Sequence, residues 1–237
     1  MNATIEAVDD GALWRIRATT CELLALSFSY PTGVLAEAVS TGEWTEAARE
    51  VTEALDVALP DNFSGMLAPY EGKHSEEVLH LLRVEATRLF VGAPEPVVSP
   101  YEGVHRAQAD GVQALLFVNP HSMEVERFMK ACGLGRPEGT NEPLDHVSTE
   151  CELLEHLALR AAAAASEGAA PADPREGAPE RFVPDGALPG GSPEVAYESF
   201  LEEHVRAWMP GFAEAVTAET REPFYRAAAA MLLAIVG

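Results

Sequence analysis

Apolar residues recur every three or four positions along most of the chain, and no stretch alternates with period two as a half-buried strand would. Leu13, Ile16, Leu23 and Leu24 mark a first helix, stopped by Pro31. Ala47, Val51, Ala54 and Leu55 mark a second after Trp44, and Val78, Leu81, Leu82 and Leu89 a third that ends near Gly92 and Pro94. Val125, Phe128, Met129 and Cys132 fall at i, i+3, i+4 and i+7, with Gly133 as a C-terminal stop. A long helix follows, carrying Val147, Cys151, Leu154 and Ala158 on one stripe with Leu153 and Leu157 beside it. The C-terminal part reads as Val195 to Trp208, a break at Pro210-Gly211, Phe212 to Thr220, and a last helix on Phe224, Ala228, Met231, Leu232 and Ile235.

Two segments resist this pattern. Val91 to Glu102 holds Gly92, Pro94, Pro96 and Pro100 and is expected to be an extended connection. Gly168 to Pro193 is rich in Pro, Gly, Ala and acid and is expected to be a mobile loop, because it offers little apolar surface to offset the entropy of ordering. The helix beyond it is amphipathic and needs a partner. The pattern therefore predicts an all-α fold, one helical bundle domain spanning residues 1–237.

Composition narrows the chemistry. The 237 residues include 47% hydrophobic side chains, enough for a sizeable core, and carry a formal charge of -22. Such acidity argues against nucleic acid or an anionic membrane as partner, since phosphates are bound by clustered Lys and Arg; a cationic partner fits better. No apolar run approaches the roughly 18 residues of a membrane span. Cys21, Cys132 and Cys151 are scattered thiols with no close pair, and the first ten residues contain Glu6, Asp9 and Asp10 but no Lys or Arg, unlike a secretory signal. Both features point to the cytoplasm.

Two constellations stand out. The first is Pro143, Asp145, His146 and Glu150, preceded by Asn141 and Glu142. Pro143 suits a first helical turn, Asn141 a cap, and Asp145 the positive end of the helix dipole. His146 and Glu150 are four apart and share a face at the edge of the apolar stripe, as a structural hydrogen bond or a recognition site would. They supply too few ligands for a zinc site, so no metal is expected there. The second constellation is Glu85 to Gly92 followed by Pro100, Tyr101 and Glu102. Glu85 lies on the apolar side of its helix, where a carboxylate needs an internal arginine or a cleft. Tyr101 is placed to plug the core and show its hydroxyl at a groove. No Walker-type loop, GxGxxG, GxSxG or HExxH occurs, so neither a cofactor nor a catalytic group is indicated, which favours a binding protein over an enzyme.

Together these stretches resemble the TorD/DmsD family of molybdoenzyme chaperones. Glu85 through Leu89-Phe90-Val91-Gly92 to Pro100-Tyr101-Glu102 is one similar stretch, Glu142 through Pro143, Asp145 and His146 to Glu150 a second, and Phe200, His204, Trp208, Phe212 and Pro223-Phe224-Tyr225 a looser third. Ala93, Ser99, Gly103 and His105 depart from the family's usual residues, and the loop at 168–193 is longer than typical. The resemblance implies an all-helical cytoplasmic chaperone that binds the twin-arginine leader and catalytic subunit of a molybdenum oxidoreductase, as a monomer or a domain-swapped dimer. It implies peptide-binding roles for Tyr101, Glu102, Pro143, Asp145 and His146, with Glu85 and Glu150 as further groove candidates. The alternatives are a NarJ-like chaperone for a subunit that is not exported, and a metal-dependent phosphohydrolase built on the Asp145-His146 doublet.

Overall fold

The amphipathic spacing produces helices, and the small residues decide which of them lie closest. The computed structural model describes residues 10–112, 119–135, 143–166 and 188–237. Helix α1 (Asp10–Phe28) buries Ala18, Cys21, Leu24, Ala25 and Phe28, and packs along α8 (Val147–Ser166), which buries Val147, Cys151, Leu154, Ala158, Ala161 and Ala162. Small side chains on both faces let the two backbones approach over their whole length; a methyl at Gly11 would already sit 3.1 Å from Ser166 Oγ. Between them in sequence come α2 (Gly33–Thr41), α3 (Glu43–Ala54), α4 (Phe63–Met66), α5 (Ser75–Ala86), α6 (Glu102–Ala109) and α7 (Pro120–Ala131). Beyond α8 follow α9 (Pro193–Phe200), α10 (Arg206–Glu219) and α11 (Pro223–Val236). The described residues contain no strand, and their one β-bridge pairs Tyr101 with His146 in antiparallel sense.

Aromatic side chains tie the outer helices to this centre. Trp44 of α3 is 1% exposed, stacks on Phe63, meets Phe224 edge-on and donates its indole N–H to Ser27 Oγ at 2.9 Å. Phe212 of α10 packs against Phe28, Phe90 and Trp208. Fully burying side chains of this size contributes about 1.5–3 kcal/mol each. Helix α9 packs on α8 and α1: Tyr197 meets Trp14 edge-on at 5.2 Å, and Glu198 pairs with Arg17 at 2.7 Å.

The structure is all-α, as the spacing predicts, and Gly133 terminates α7 with φ +80. Three details differ. Helices α2, α4 and α6 fall where the apolar spacing gave no signal, the last immediately after the Pro-rich connection. No break occurs at Pro210-Gly211, because the chain runs helically from Pro193 to Glu219 through a widened, π-type turn at Leu201–Val205. Pro143 is buried but does not open a helix: α8 starts at Val147, since the backbone of 145–147 is committed to the bridge, with Glu102 N–H donating to the Asp145 carbonyl and Val147 N–H to the Pro100 carbonyl, both at 2.9 Å. Asn141 and Glu142 lie outside the described residues, as does 168–187 of the expected mobile loop. The end of that loop, Pro189–Gly191, forms a tight helical turn.

Candidate functional site

The bridge between Tyr101 and His146 brings the two sequence constellations together, and they meet on opposite sides of it. On the inner side is a buried acid cluster. Glu102, the first residue of α6, is 0% exposed and accepts from Arg106 at 2.6 Å and from His204 Nδ1 at 3.1 Å to each carboxylate oxygen. The widened turn aims His204 inward, where its ring stacks on Phe200 at 4.7 Å. Glu150 is also 0% exposed and accepts the Trp208 indole N–H at 3.0 Å. Burial, then the negative charges of Glu102 and Asp145, push its carboxyl well above the ordinary range. Burial therefore favours the neutral acid at Glu150.

Asp145 has a separate duty. It is 1% exposed, and its Oδ2 accepts from Gly103 N–H at 2.9 Å and from the Ser122 hydroxyl at 2.6 Å. It thus caps α6 from a distant part of the chain and ties α7 to it. Burial raises its carboxyl, and these two bonds offset part of the rise. Gly103 fits this arrangement because a methyl there would collide with Ser122 Oγ and reach 3.0 Å from Asp145 Oδ2. Asp145→Ala is expected to lower stability by about 1–2 kcal/mol, the usual cost of losing a cap and stranding an N–H, while the conservative Asp145→Asn costs less; urea unfolding of both variants checks this.

On the outer side of the bridge lies a groove of about 700 Å³. Phe28, Tyr30, Phe90, Val91, Pro100 and Tyr101 form its apolar walls, and Ser29, Thr87, His146, Ser148, Thr149 and Glu152 its polar lining. Tyr101 is half-buried, with its ring edge-on to His146 at 5.3 Å. Tyr30 and Val91 remain 55% and 62% exposed, an open apolar lip. A second widened turn, Thr87–Val91, supplies one wall. His146 is half-buried, and its Nδ1 accepts from the Ser148 hydroxyl at 2.8 Å and from Ser148 N–H at 3.2 Å. With Nδ1 an acceptor on both counts, the ring proton sits on Nε2. Burial lowers its pKa to about 4, so the imidazole is neutral at physiological pH.

Of the residues singled out in the sequence, Tyr101 and His146 line the groove, while Glu102, Asp145 and Glu150 stand behind it, buried and bonded within the protein. Glu85 is 3% exposed and accepts two bonds from Arg88, one from Arg221 N–H at 2.6 Å and one from the Thr220 hydroxyl. Burial pushes its carboxyl up, but Arg88 and the Arg221 amide more than offset this, and the net direction is downward. Glu85 therefore fastens α5 to the turn between α10 and α11, which is the internal ion pair the sequence left open. The reading missed Arg106 and Ser148, although Arg106 four residues after Glu102 and Ser148 two after His146 were local signals. No local signal links Glu102 to His204 or Glu150 to Trp208. Among the described residues no three His, Cys, Asp or Glu side chains are grouped to hold a metal ion, and no single helix is long and apolar enough to cross a membrane.

The described residues thus form an all-helical frame with an apolar groove beside a buried acid cluster. Residues 41–214 match the nitrate reductase delta subunit family, so the chain belongs to that family, the NarJ/TorD-type chaperones of molybdoenzyme maturation. It is a chaperone family rather than a catalytic one. No curated protein matches the chain.

Proposed function

We propose that this chaperone works in the cytoplasm, where it holds the twin-arginine leader of an exported molybdoenzyme subunit in the groove between Tyr30, Val91, Tyr101 and His146 until the cofactor is in place. The observation that carries the reading is the groove itself: aromatic and aliphatic walls about the size of a short peptide segment, framed by the two stretches that resemble the leader-binding family. Bound apolar segments gain from burial against such walls, and the excess of acid over the chain, net -22, draws in a basic peptide. A NarJ-like reading, in which the client is a subunit without an export leader, is favoured by the name of the matching family and by the scarcity of carboxylates in the groove, to which the described residues contribute Glu152.

Titration of the wild-type protein with the client's N-terminal peptide, with and without its leader, separates the two. Leader-dependent binding supports the export reading, and binding of the leaderless subunit with no contribution from the leader supports the other. Val91→Arg plants a cation on the exposed apolar lip and is expected to weaken peptide binding at least about tenfold with an unchanged melting temperature, because Val91 is largely solvated before binding. Calorimetry beside a thermal melt measures both.

A further inference from the structure

We propose that His146 reads the bound segment by donating a neutral Nε2–H to a backbone carbonyl, so that the groove selects an uncharged stretch of the client and leaves the arginine pair outside. This rests on the peptide-binding reading above. The geometry leaves His146 one free role. Its Nδ1 is spent on Ser148, whose N–H and hydroxyl both donate to it, and its Nε2 has no partner among the described residues while the ring lines the groove. A guanidinium has five N–H groups and no acceptor, so it has nothing to offer an Nε2–H donor. A peptide carbonyl has what the donor needs.

The carboxylates point the same way. Glu102, Asp145 and Glu150, the groups a guanidinium would seek, are 0%, 1% and 0% exposed and bonded internally. The other titratable side chains on the groove are Glu152 from α8, Tyr30 after α1 and Tyr101 before α6; Asp145 and Glu150 lie behind the wall. Since burial holds the His146 pKa near about 4, the ring stays a neutral donor across the physiological range. Apart from Glu152, the surroundings are hydroxyls and apolar walls, which suit the uncharged, hydrophobic part of a leader better than its basic part.

The test uses the full-length protein with two synthetic peptides, the client's leader and the same leader with both arginines changed to glutamine. His146→Ala is expected to weaken both peptides by the same factor, about five- to tenfold for one neutral hydrogen bond. His146→Gln, whose amide N–H₂ reaches about as far as Nε2, is expected to recover most of that loss. The ratio of wild-type to variant affinity is expected to stay flat from about pH 8 to about pH 6, where an ordinary histidine would titrate. Imidazole ¹⁵N spectra, with His146→Gln assigning the resonance, are expected to show the Nε2–H tautomer before binding and a shift of that nitrogen on binding. A penalty confined to the arginine-bearing peptide, or an affinity unchanged in His146→Ala, overturns the inference. Val91→Arg separates the two readings: if it weakens binding and His146→Ala does not, the groove stands and the donor role falls. If neither variant weakens binding, the groove reading falls with it.

Discussion

Glu102→Ala is expected to destabilise the protein by about 3–5 kcal/mol, the usual cost of breaking a buried charge pair from one side. The carboxylate is the meeting point of Arg106, His204 and the start of α6, and its loss strands the buried His204 and takes from Arg106 its buried partner. Glu150→Gln offers the contrast. Burial favours the neutral acid at Glu150, so an amide of the same shape still accepts from Trp208 and changes stability little near the ordinary carboxylate range. The sign of its pH dependence follows from the raised carboxyl: the folded protein keeps a proton that the unfolded chain releases, so this group's contribution falls as pH climbs above the ordinary carboxylate range. Glu150→Gln removes that loss and is expected to gain on the wild type toward alkaline pH. Equal destabilisation by Glu102→Ala and Glu150→Gln in urea titrations at pH about 7 would show that Glu150 is not held as a neutral acid.

Acid is expected to cost the protein roughly 2–3 kcal/mol through His146 alone as the pH falls from about 6.5 to about 4. The folded state keeps this ring neutral down to about 4, whereas in the unfolded chain it takes up a proton near the ordinary value of 6.5. The unfolded state thus binds more protons in that window, so the stabilisation is complete above pH 6.5 and drains away below it. Half-burial keeps the figure below the full value of such a shift. Glu150 and Asp145, with raised carboxyls, work in the opposite direction near the carboxylate range, which is why the comparison is with His146→Gln rather than with the wild type alone. The stability difference between the two is expected to narrow steadily on acidification; a difference independent of pH would mean that the ring is solvated and ordinary.

The long amphipathic helices were legible because their apolar stripes repeat with helical period over many residues, as in Val147 to Ala158. Helix α6 was not, because its buried positions are Glu102, Gly103 and Ala107, which carry almost no hydrophobic signal. The site was half legible. Asp145 and His146 are adjacent, yet their side chains serve opposite faces of one bridge, as period-two alternation in an extended segment requires. Read as the first turn of a helix, they share neither role. A carboxylate in sequence carries no mark of burial, so Glu102 and Glu150 look like groove ligands until Arg106, His204 and Trp208 are seen against them. Those partnerships bridge 102 and 58 residues of chain in the case of His204 and Trp208, beyond any local pattern.

The widened turn at Leu201–Val205 holds one residue more than an α-helical path of the same length needs. Each helical residue advances about 100° around the axis, so the wide turn takes up the surplus and keeps Phe200 upstream in phase with Trp208, Met209 and Phe212 downstream, all of which face inward. Deleting a residue from this turn would restore ordinary helical bonding over the same path and leave α10 in phase, whereas deleting one from the start of α10 would turn everything beyond it by about 100°, carrying Phe212 out of the aromatic centre. The turn is thus the one place in this long helix where a residue can be lost without changing which side chains face inward, and what the surplus residue supplies is the inward aim of His204.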